Sequence, residues 1–405
     1  MTIAELPIFA SAPVLLTDIP NLDPPPAYTP LAELSKGALP QIVLPSGHTA
    51  VHLTRYRDVL TVLADPTFSR SVTNTDDGAS FLPTTMPPEL PLNLDVPDHA
   101  RMKGYVTSDY SARSVAALES ATTRILDDAL SNLRREAQPD LFGTVLNRIP
   151  VEVNMAFLGL PISDIDYFRP SSRVVQMAPE SDVPGLLEHF WLVYDYLTDL
   201  VTGEREVLEG GLVARFIAGR DTVEPRLSDA ELVGLLMGSL LGADHNVLSV
   251  LAKAVYVLLS APPLWEWAVQ NPSRTPELVE ELLRVLPLGT ISTFPRVATR
   301  DLPVGDGVIS EGDVVYADAF AANRDPSEYP DPQRIDPERK GPRHLQFGYG
   351  MHHCMGASLA RMELTVVIRR LTTEYPGLRL AANPESLPWD SGVLLRRPTL
   401  LPVRW

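Results

Sequence analysis

The alternation of apolar and polar positions predicts a β-hairpin followed by a helix near the start of the chain. Residues 41–44 and 49–53 are β-branched runs on either side of Pro45-Ser46-Gly47, which is typical of a hairpin. Residues 56–64 then have helical periodicity, and Asp65-Pro66 ends it. Residues 71–97, rich in Thr, Pro, Asp and Gly, predict a long irregular loop of the kind that is usually functional or mobile.

From residue 98 to residue 260 the pattern is mainly helical. Ser228 and Glu231 have the spacing of a capping box, and they precede an apolar run from Leu232 to Leu259. A helix of roughly 30 residues would span about 45 Å. Because this helix is apolar nearly all round, we expect it to run through the middle of the protein. Polar residues between 244 and 253 argue against a membrane span.

The last third of the chain predicts two helices with short strands between them. Thr275-Pro276-Glu277 supplies a cap, a first-position proline and a first-turn acid for a helix that ends near Pro287. Strands are expected at 297–298 and 314–316, and a helix from about 357 to 375. The fold class is therefore mainly α with a small β part. No linker divides the chain, which predicts a single domain over 1–405 with residues 1–24 as an irregular arm.

Composition narrows the class of protein. The 34 basic and 51 acidic residues give a net charge of -17, which argues against nucleic-acid binding. The first 20 residues lack the basic region of a signal peptide, so we expect a cytoplasmic protein, without a membrane anchor and monomeric. One cysteine excludes an internal disulfide and a multi-cysteine zinc site.

That cysteine lies in a glycine-rich loop, Phe347-Gly-Tyr-Gly-Met-His-His-Cys354-Met-Gly356, just before the last helix. A lone cysteine is often a small buried apolar residue. Glycines, however, let a backbone approach a flat cofactor closely, and a helix N-terminus stabilises a thiolate. The loop resembles the haem loop of the cytochrome P450 family, Phe-x-x-Gly-x-x-x-Cys-x-Gly. The resemblance implies that Cys354 is the axial ligand of a b-type haem (iron protoporphyrin IX).

Further positions match the family in the expected order. Glu281 and Arg284 form its Glu-x-x-Arg on one helix face. The resemblance implies that Arg334 completes a buried charge network with them. It also implies haem-propionate contacts from the following residues: His99, Lys103 (where the family usually has arginine), Arg296 and His352. In isolation each of these would be interpreted as a solvated surface residue.

The central helix departs from the family. Where the family has Ala-Gly-x-(Asp/Glu)-Thr, which supports proton delivery to dioxygen, this chain has Gly242-Ala243-Asp244-His245-Asn246. In one interpretation Asp244, His245 and Asn246 are the catalytic residues, and His245 and Asn246 relay protons in a different way from the usual pair. In the other, the enzyme does not depend on oxygen insertion and yields oxidative coupling.

Family position also implies a substrate pocket and partners. The predicted pocket residues are Leu240, Ala243, Thr290, Ser292, Thr293, Phe294 and Val393, with contributions from segments 71–97 and 165–195. An apolar pocket with hydroxyls suits an aromatic or peptide-like secondary metabolite. The chain carries no Gly-rich dinucleotide fingerprint, so ferredoxin and ferredoxin reductase are the expected electron donors. Basic residues near the cysteine loop could form a positive patch that steers an acidic ferredoxin, or they could be unrelated arginines on helix surfaces. These residues are Arg343, Arg361, Arg369 and Arg370.

The expected activity is monooxygenation, such as hydroxylation, of a small organic molecule. The alternatives are oxidative C–C or C–N coupling, desaturation, or a haem-bound protein with weak turnover.

Overall fold

The computed structural model describes residues 13–23, 26–31, 39–82, 85–178, 185–305 and 307–405. Parts of three predicted segments lie outside these residues. They are most of the N-terminal arm, two residues of the 71–97 loop, and residues 179–184 of the 165–195 segment.

Twelve strands are found in the described ranges. They are β1 (Thr29–Pro30), β2 (Gln41–Val43), β3 (Thr49–Leu53), β4 (Phe68–Ser69), β5 (Arg296–Ala298), β6 (Leu302–Val304), β7 (Gly307–Ile309), β8 (Val314–Ala317), β9 (Arg379–Leu380), β10 (Trp389–Ser391), β11 (Arg396–Pro398) and β12 (Val403–Arg404).

The main sheet has the strand order β1-β2-β3-β8-β5-β4, and three two-stranded pairs accompany it. The predicted hairpin is confirmed as the antiparallel pair β2–β3, in which Ile42 faces Ala50. β3 pairs in parallel with β8, so Val51 lies beside Val315. The sheet thereby brings the segment after Phe294 next to the N-terminal hairpin.

Helices make up most of the remaining structure. They are α1 (Tyr56–Ala64), α2 (Asp98–Val106), α3 (Ala112–Ala116), α4 (Glu119–Leu133), α5 (Ile149–Leu158), α6 (Ile165–Met177), α7 (Leu186–Thr202), α8 (Leu212–Gly219), α9 (Asp229–Ala243), α10 (His245–Ser260), α11 (Pro262–Gln270), α12 (Thr275–Val285), α13 (Ala319–Ala322) and α14 (Ala357–Glu374). The predicted mainly α fold with a small β part is confirmed.

The central apolar run is two helices rather than one. The capping box at Ser228 and Glu231 is present, as predicted. At Asp244, however, φ is -87° and ψ is -86°, which interrupts the helical backbone between α9 and α10. The predicted long apolar run is therefore present over Asp229–Ser260, and the interruption at Asp244 is a feature that the prediction did not include. The apolar pattern contains no sign of the break, because the side chain that holds Asp244 comes from another part of the chain.

α9 and α10 lie in the largest hydrophobic cluster of the described residues. Together they are long and apolar enough to cross a membrane, but 78% of the most apolar stretch is buried inside the protein. They therefore form a core element, as predicted. α12 begins at Thr275, one residue earlier than the cap assignment predicted, and Thr275 Oγ1 donates to the carbonyl of Pro272.

Candidate functional site

The cysteine loop folds back on itself through local hydrogen bonds. The Cys354 N–H donates to the Phe347 carbonyl at 2.8 Å, and the His353 N–H donates to the Gly350 carbonyl at 3.1 Å. Gly350 has φ +67°, and an added Cβ would lie 2.4 Å from the Leu63 carbonyl oxygen at the end of α1. Only glycine combines this backbone conformation with this close approach.

The Cys354 side chain is exposed, yet protein atoms surround it closely enough for burial to raise the pKa of its thiol. Backbone N–H groups of Gly356 and Ala357 act in the opposite direction, as does the charge of Lys103. Exposure inside a dense surrounding indicates that the sulfur faces an interior hollow. Burial therefore favours the protonated thiol, whereas a bound metal ion would favour the thiolate.

Tyr110 connects the cysteine loop to the central helix. Burial is the main cause of its raised pKa, and the charge of Cys354 contributes. The Tyr110 hydroxyl donates to Ser239 Oγ on α9 at 2.6 Å. The hollow therefore has the cysteine loop on one side and the central helix close by.

A buried charge network supports the chain that leads into the cysteine loop. Arg284 donates through Nε and Nη2 to the two carboxylate oxygens of Glu281, each at 2.8 Å. Arg284 Nη1 also donates to the carbonyl of Asn323, whose side-chain oxygen accepts from the Leu345 N–H at 2.6 Å. The pair on α12 is thus connected to the chain that leads into the cysteine loop.

The third charged member of this network is Arg339, not Arg334. Arg339 Nε donates to Glu281 Oε1 at 3.0 Å. The Arg334 side chain is about half exposed and lies 3.9 Å from Asp336; only its carbonyl oxygen joins the network, accepting from Arg284 and Arg339. The prediction for Arg334 was therefore wrong, because the arginine-rich coil has no spacing rule that selects one arginine over another.

Several predicted propionate contacts cluster beside the loop. The rings of His99 and His352 lie 4.4 Å apart, and His99 Nδ1 and His352 Nε2 are buried without a hydrogen-bond partner among the described residues. Arg296 is 5% exposed and makes one long hydrogen bond, 3.4 Å, to the Val62 carbonyl. Burial lowers the pKa of Arg296 to about 10. Buried cations and orphaned ring nitrogens fit a ligand that brings its own carboxylates.

Arg70 belongs to the same cluster, although no motif in the sequence points to it. It is 4% exposed, and burial lowers the pKa of its guanidinium to about 9, with Arg296 contributing. Its Nη1 donates to Thr73 Oγ1 and to the Pro295 carbonyl, and its guanidinium lies over the Phe294 ring. Arg70 therefore holds the chain immediately before Arg296.

Lys103 does not reach toward this cluster. Its Nζ donates to two carbonyls of the cysteine loop, those of Met351 at 2.5 Å and His353 at 2.8 Å. The predicted propionate contact is therefore corrected to a contact that ties α2 to the loop. A single ammonium group can satisfy two carbonyls in this way because it carries three donors.

On the central helix, Asp244 turns away from the hollow. It is 1% exposed and accepts from Arg169 of α6 through both oxygens, at 2.9 and 3.0 Å. Such a two-point contact is among the stronger side-chain interactions in proteins. Asp244 is thus held in an ion pair at the residue where the helical backbone breaks, away from the position predicted for a catalytic residue.

His245 is also buried. Its Nδ1 lies 3.2 Å from Arg397 Nη1, which can only donate, so the ring proton is on Nε2. His245 Nε2 has no hydrogen-bond partner among the described residues and lies 3.6 Å from Asp244 Oδ2. Burial lowers the pKa of His245 to about 4, and Arg397 contributes. The relay interpretation assumed an ordinary histidine pKa of about 6.5, which His245 does not keep, and a role of His245 in proton transfer stays a prediction.

Asn246 is the member of the predicted trio that borders open space. It is half-buried, and so is Ala243; Gly242, one turn before Asn246, is exposed, and a Cβ added to it would have no neighbouring atom within 4 Å. Asn246 Nδ2 donates to Gln176 Oε1 of α6 at 2.7 Å and to the Leu241 carbonyl at 3.4 Å.

Glu363 of α14 is a buried group that sequence reasoning missed. It is fully buried, and neither carboxylate oxygen has a hydrogen-bond partner among the described residues. Burial raises its pKa well above the ordinary value, and the charge of Asp244 adds to the effect. Burial therefore favours the protonated form of this carboxyl.

The hydroxyls predicted for the substrate pocket are already bonded within the protein. Thr290 Oγ1 donates to the Val393 carbonyl at 2.5 Å, and Thr293 Oγ1 donates to the Ala317 carbonyl at 2.7 Å. Ser292 Oγ donates to Asp318 Oδ1 at 3.0 Å. These three residues lie in the coil before β5, and each hydroxyl donates its proton to another group of the protein.

Of the apolar pocket predictions, Phe294, Ala243 and Val393 are half-buried, whereas Leu240 is 1% exposed and packs in the core. Leu240 is therefore corrected to a core residue, because helical rotation turns it away from the face that carries Gly242.

The tip of the β10–β11 hairpin meets the end of α6. The Val393 N–H donates to the Ala178 carbonyl at 3.2 Å. A Cβ added to Gly392 would lie 1.5 Å from the Met177 carbonyl oxygen. Only a residue without a side chain permits this contact.

The fold and the loop have clear relatives. The cytochrome P450 family profile matches residues 273–398. Nocardicin C N-oxygenase of Nocardia uniformis subsp. tsuyamanensis is 35% identical over 386 residues, which cover 95% of this chain and 96% of that protein. Mycinamicin IV hydroxylase/epoxidase of Micromonospora griseorubida is 35% identical over 89% of this chain and 91% of its own length. The crystal structure of cytochrome P450mel 107F1, with biaryl coupling reactivity, has a TM-score of 0.83 at 30% identity, covering 88% of this chain and 91% of that one. With such identity along nearly its whole length, this chain belongs to the cytochrome P450 family of haem-iron monooxygenases.

Proposed function

We propose that Cys354 is the axial ligand of a b-type haem with which the protein oxidises a small aromatic or peptide-like secondary metabolite. The observation that carries the proposal is the exposed thiol of Cys354, held over a hollow by a loop with a closely packed glycine. When bound, the haem iron supplies the activation of dioxygen. The chain supplies the thiolate, the backbone donors around it and the rigid support under the loop.

The residues that would hold the two haem carboxylates are Arg296, His99 and His352. Their buried, unpartnered nitrogens and the long contact of Arg296 are what a pair of propionates would complete. Arg70 would position Arg296, because its Nη1 donates to the Pro295 carbonyl. Arg70 Nη2 makes no hydrogen bond among the described residues and would be available to a propionate as well.

The preferred reaction is a monooxygenation such as hydroxylation. The names of the relatives support it: one is an N-oxygenase of nocardicin C, and another is a hydroxylase and epoxidase of mycinamicin IV. The relatives' names give small organic molecules, nocardicin C and mycinamicin IV, as their substrates. In this chain the half-buried Phe294 and Val393 offer an apolar surface for a small organic substrate.

The test of the haem ligand is the carbon-monoxide difference spectrum of the reduced protein. The wild type should give a Soret band at about 450 nm, which requires a thiolate ligand, and Cys354→Ala should abolish that band. Arg334→Gln, at an exposed side chain, is the matched control and should keep it. A Cys354→Ala protein that retained the band would contradict the assignment.

A second candidate reaction is oxidative coupling or desaturation without oxygen insertion. It is favoured by one observation: His245 is neutral and enclosed, and Asn246 stands where the family has an alcohol, so the residues that normally deliver protons are replaced. Turnover under labelled dioxygen separates the two reactions. Label in the product supports monooxygenation, and an unlabelled, coupled product supports the second candidate. No turnover at all would indicate a haem protein that binds without reacting.

The electron donors we propose are a ferredoxin and its reductase, acting in the cytoplasm. Fewer arginines of the predicted positive patch are unpaired than the sequence suggests. Arg361 donates to both carboxylate oxygens of Glu280, and Arg370 pairs with Asp127 at 2.6 Å. Arg343 is exposed and has no ion pair among the described residues. It is therefore the better site at which to test docking.

A further inference from the structure

A half-buried polar side chain of the central helix is an amide, Asn246, and it is paired with a second amide, Gln176. Asn246 follows the helix break at Asp244, and the exposed Gly242 precedes that break. The neighbouring charged and ionisable side chains, Asp244 and His245, are taken up by Arg169 and Arg397. The polar surface that remains at this point is the pair Asn246–Gln176.

The pair leaves a defined set of free atoms. Asn246 Nδ2 uses its two hydrogens on Gln176 Oε1 and the Leu241 carbonyl. Asn246 Oδ1 and Gln176 Nε2 take part in no hydrogen bond of the described residues, and both side chains are half-buried rather than enclosed. One acceptor and one donor group therefore lie next to each other, neither of them fully enclosed. If both amides were rotated by half a turn, the free set would again contain a carbonyl oxygen and an amino group.

A donor beside an acceptor is complementary to an amide in the ligand. An acyclic secondary amide presents its N–H and C=O on opposite edges, because the peptide bond is trans. A cyclic amide is held cis, so that its N–H and C=O lie on one edge and can meet both atoms of the pair at once. Leaving buried polar groups unpaired is costly, which turns this complementarity into selectivity.

We propose that Asn246 and Gln176 form a recognition element for a lactam or related cyclic amide in the substrate. The ligand N–H donates to Asn246 Oδ1, and the ligand carbonyl accepts from Gln176 Nε2. This inference rests on the proposed oxidation of a secondary metabolite at the same site and names the chemical class of that metabolite.

The test uses the ferric holoenzyme and three matched probes: 3,4-dihydroquinolin-2-one, its N-methyl derivative, and 2-tetralone. The first has both groups, the second lacks the donor, and the third has a methylene in place of the N–H. Affinity is measured by spectral titration and by calorimetry, the second of which does not depend on the haem spectrum. The wild type should prefer the lactam by about tenfold, which corresponds to about 1.4 kcal/mol.

Gln176→Met and Asn246→Leu should each reduce this preference to less than about twofold, while the matched surface variant Gln270→Met should keep it. Equal binding of the three probes by the wild type, no binding of the lactam, or a preference that survives both variants would overturn the inference. The wild-type comparison decides even if a variant does not fold. A normal carbon-monoxide spectrum together with equal probe binding rejects the amide element alone, whereas a missing thiolate band rejects the proposed function.

Discussion

The two sides of the hollow are built differently. On the cysteine side, the buried Glu281 carboxylate accepts from Arg284, Arg339 and the Asp336 N–H, so its oxygens are used. On the side of the central helix, the buried His245 Nε2 and Arg397 Nε have no hydrogen-bond partner among the described residues. The cysteine side also has such atoms, His99 Nδ1 and His352 Nε2, but they lie outside the network around Glu281.

The difference shows where the molecule is constrained and where it has room to differ. Satisfied buried networks hold one geometry, whereas incompletely paired groups in a low-dielectric interior are costly and are kept where they have a use. The matched family positions Glu281 and Arg284 belong to the paired network on the cysteine side. The departures from the family motif, His245 and Asn246, lie on the other side.

The largest expected effect comes from opening the network on the cysteine side. Arg284→Met leaves the Glu281 carboxylate buried with fewer partners, and we expect a loss of about 3–5 kcal/mol in the free energy of unfolding, together with loss of haem. Urea unfolding and haem content per protein measure both. Arg334→Gln is the matched arginine control and should change the free energy by less than about 0.5 kcal/mol. Equal losses in the two variants would contradict the placement of Arg334 outside the buried network.

On the side of the central helix, Arg169→Met should cost somewhat less, about 3 kcal/mol, because Arg169 is partly exposed while Asp244 is not. Arg173→Met, four residues along α6, breaks a half-exposed pair with Asp390 and should cost less than about 1 kcal/mol. Chemical unfolding of the wild type and the two variants measures the order. If both variants lost the same amount, the ion pair at the helix break would not be holding that break.

The pH dependence of stability sharpens the comparison further. The unfolded chain protonates His245 below about pH 6.5, but the folded protein does so only near pH 4. Folded protein therefore binds fewer protons in this window, and the free energy of unfolding falls as pH drops from 6.5 to 4. His245→Gln, which keeps an acceptor for Arg397, should remove on the order of 2 kcal/mol of that fall.

Unfolding midpoints at about pH 7.5 and about pH 5, on either side of the histidine pKa of the unfolded chain, give the comparison for His245→Gln. The two proteins should differ in how much stability they lose between these pH values. Identical losses would mean that the His245 ring titrates in the folded protein as it does in the unfolded chain.

The smallest expected effect concerns electron delivery. Arg343→Glu should slow reduction by an acidic ferredoxin by about two- to fivefold at low ionic strength, and the difference should shrink as salt is added. Stopped-flow reduction at two salt concentrations measures it. Arg300→Glu, at an exposed arginine elsewhere on the surface, is the control; equal slowing in both variants would remove Arg343 from the docking face.

The features that the sequence predicts correctly are those that depend on residues near each other in the chain. The capping box at Ser228, the hairpin of β2 and β3, and the contact of Glu281 with Arg284 depend on residues that are close together in the chain. The resemblance to a family supplied the rest of the cysteine side. The resemblance gave two wrong contacts on that side. Arg334 lies in a coil, where no periodicity tells which way a side chain points. Lys103 binds loop carbonyls, which no sequence pattern marks.

The side of the central helix could not be predicted in this way. Asp244 meets Arg169, His245 meets Arg397, and Asn246 meets Gln176, and each partner lies at least 70 positions away. Such contacts depend on how α6 and the β10–β11 hairpin pack on α10. An apolar helix pattern contains no information about them, and it therefore also misses the helix break at Asp244.

The contact between Gly392 and Met177 sets a limit on how this enzyme can diversify. Because the backbone at Gly392 lies against the backbone at Met177, any side chain at position 392 would force the two segments apart. A mutant library aimed at new substrates would gain from randomising Val393 and would lose every member that alters Gly392. In such a library Gly392 would serve as the fixed point of the hairpin tip, and the side chains beside it would be the variables.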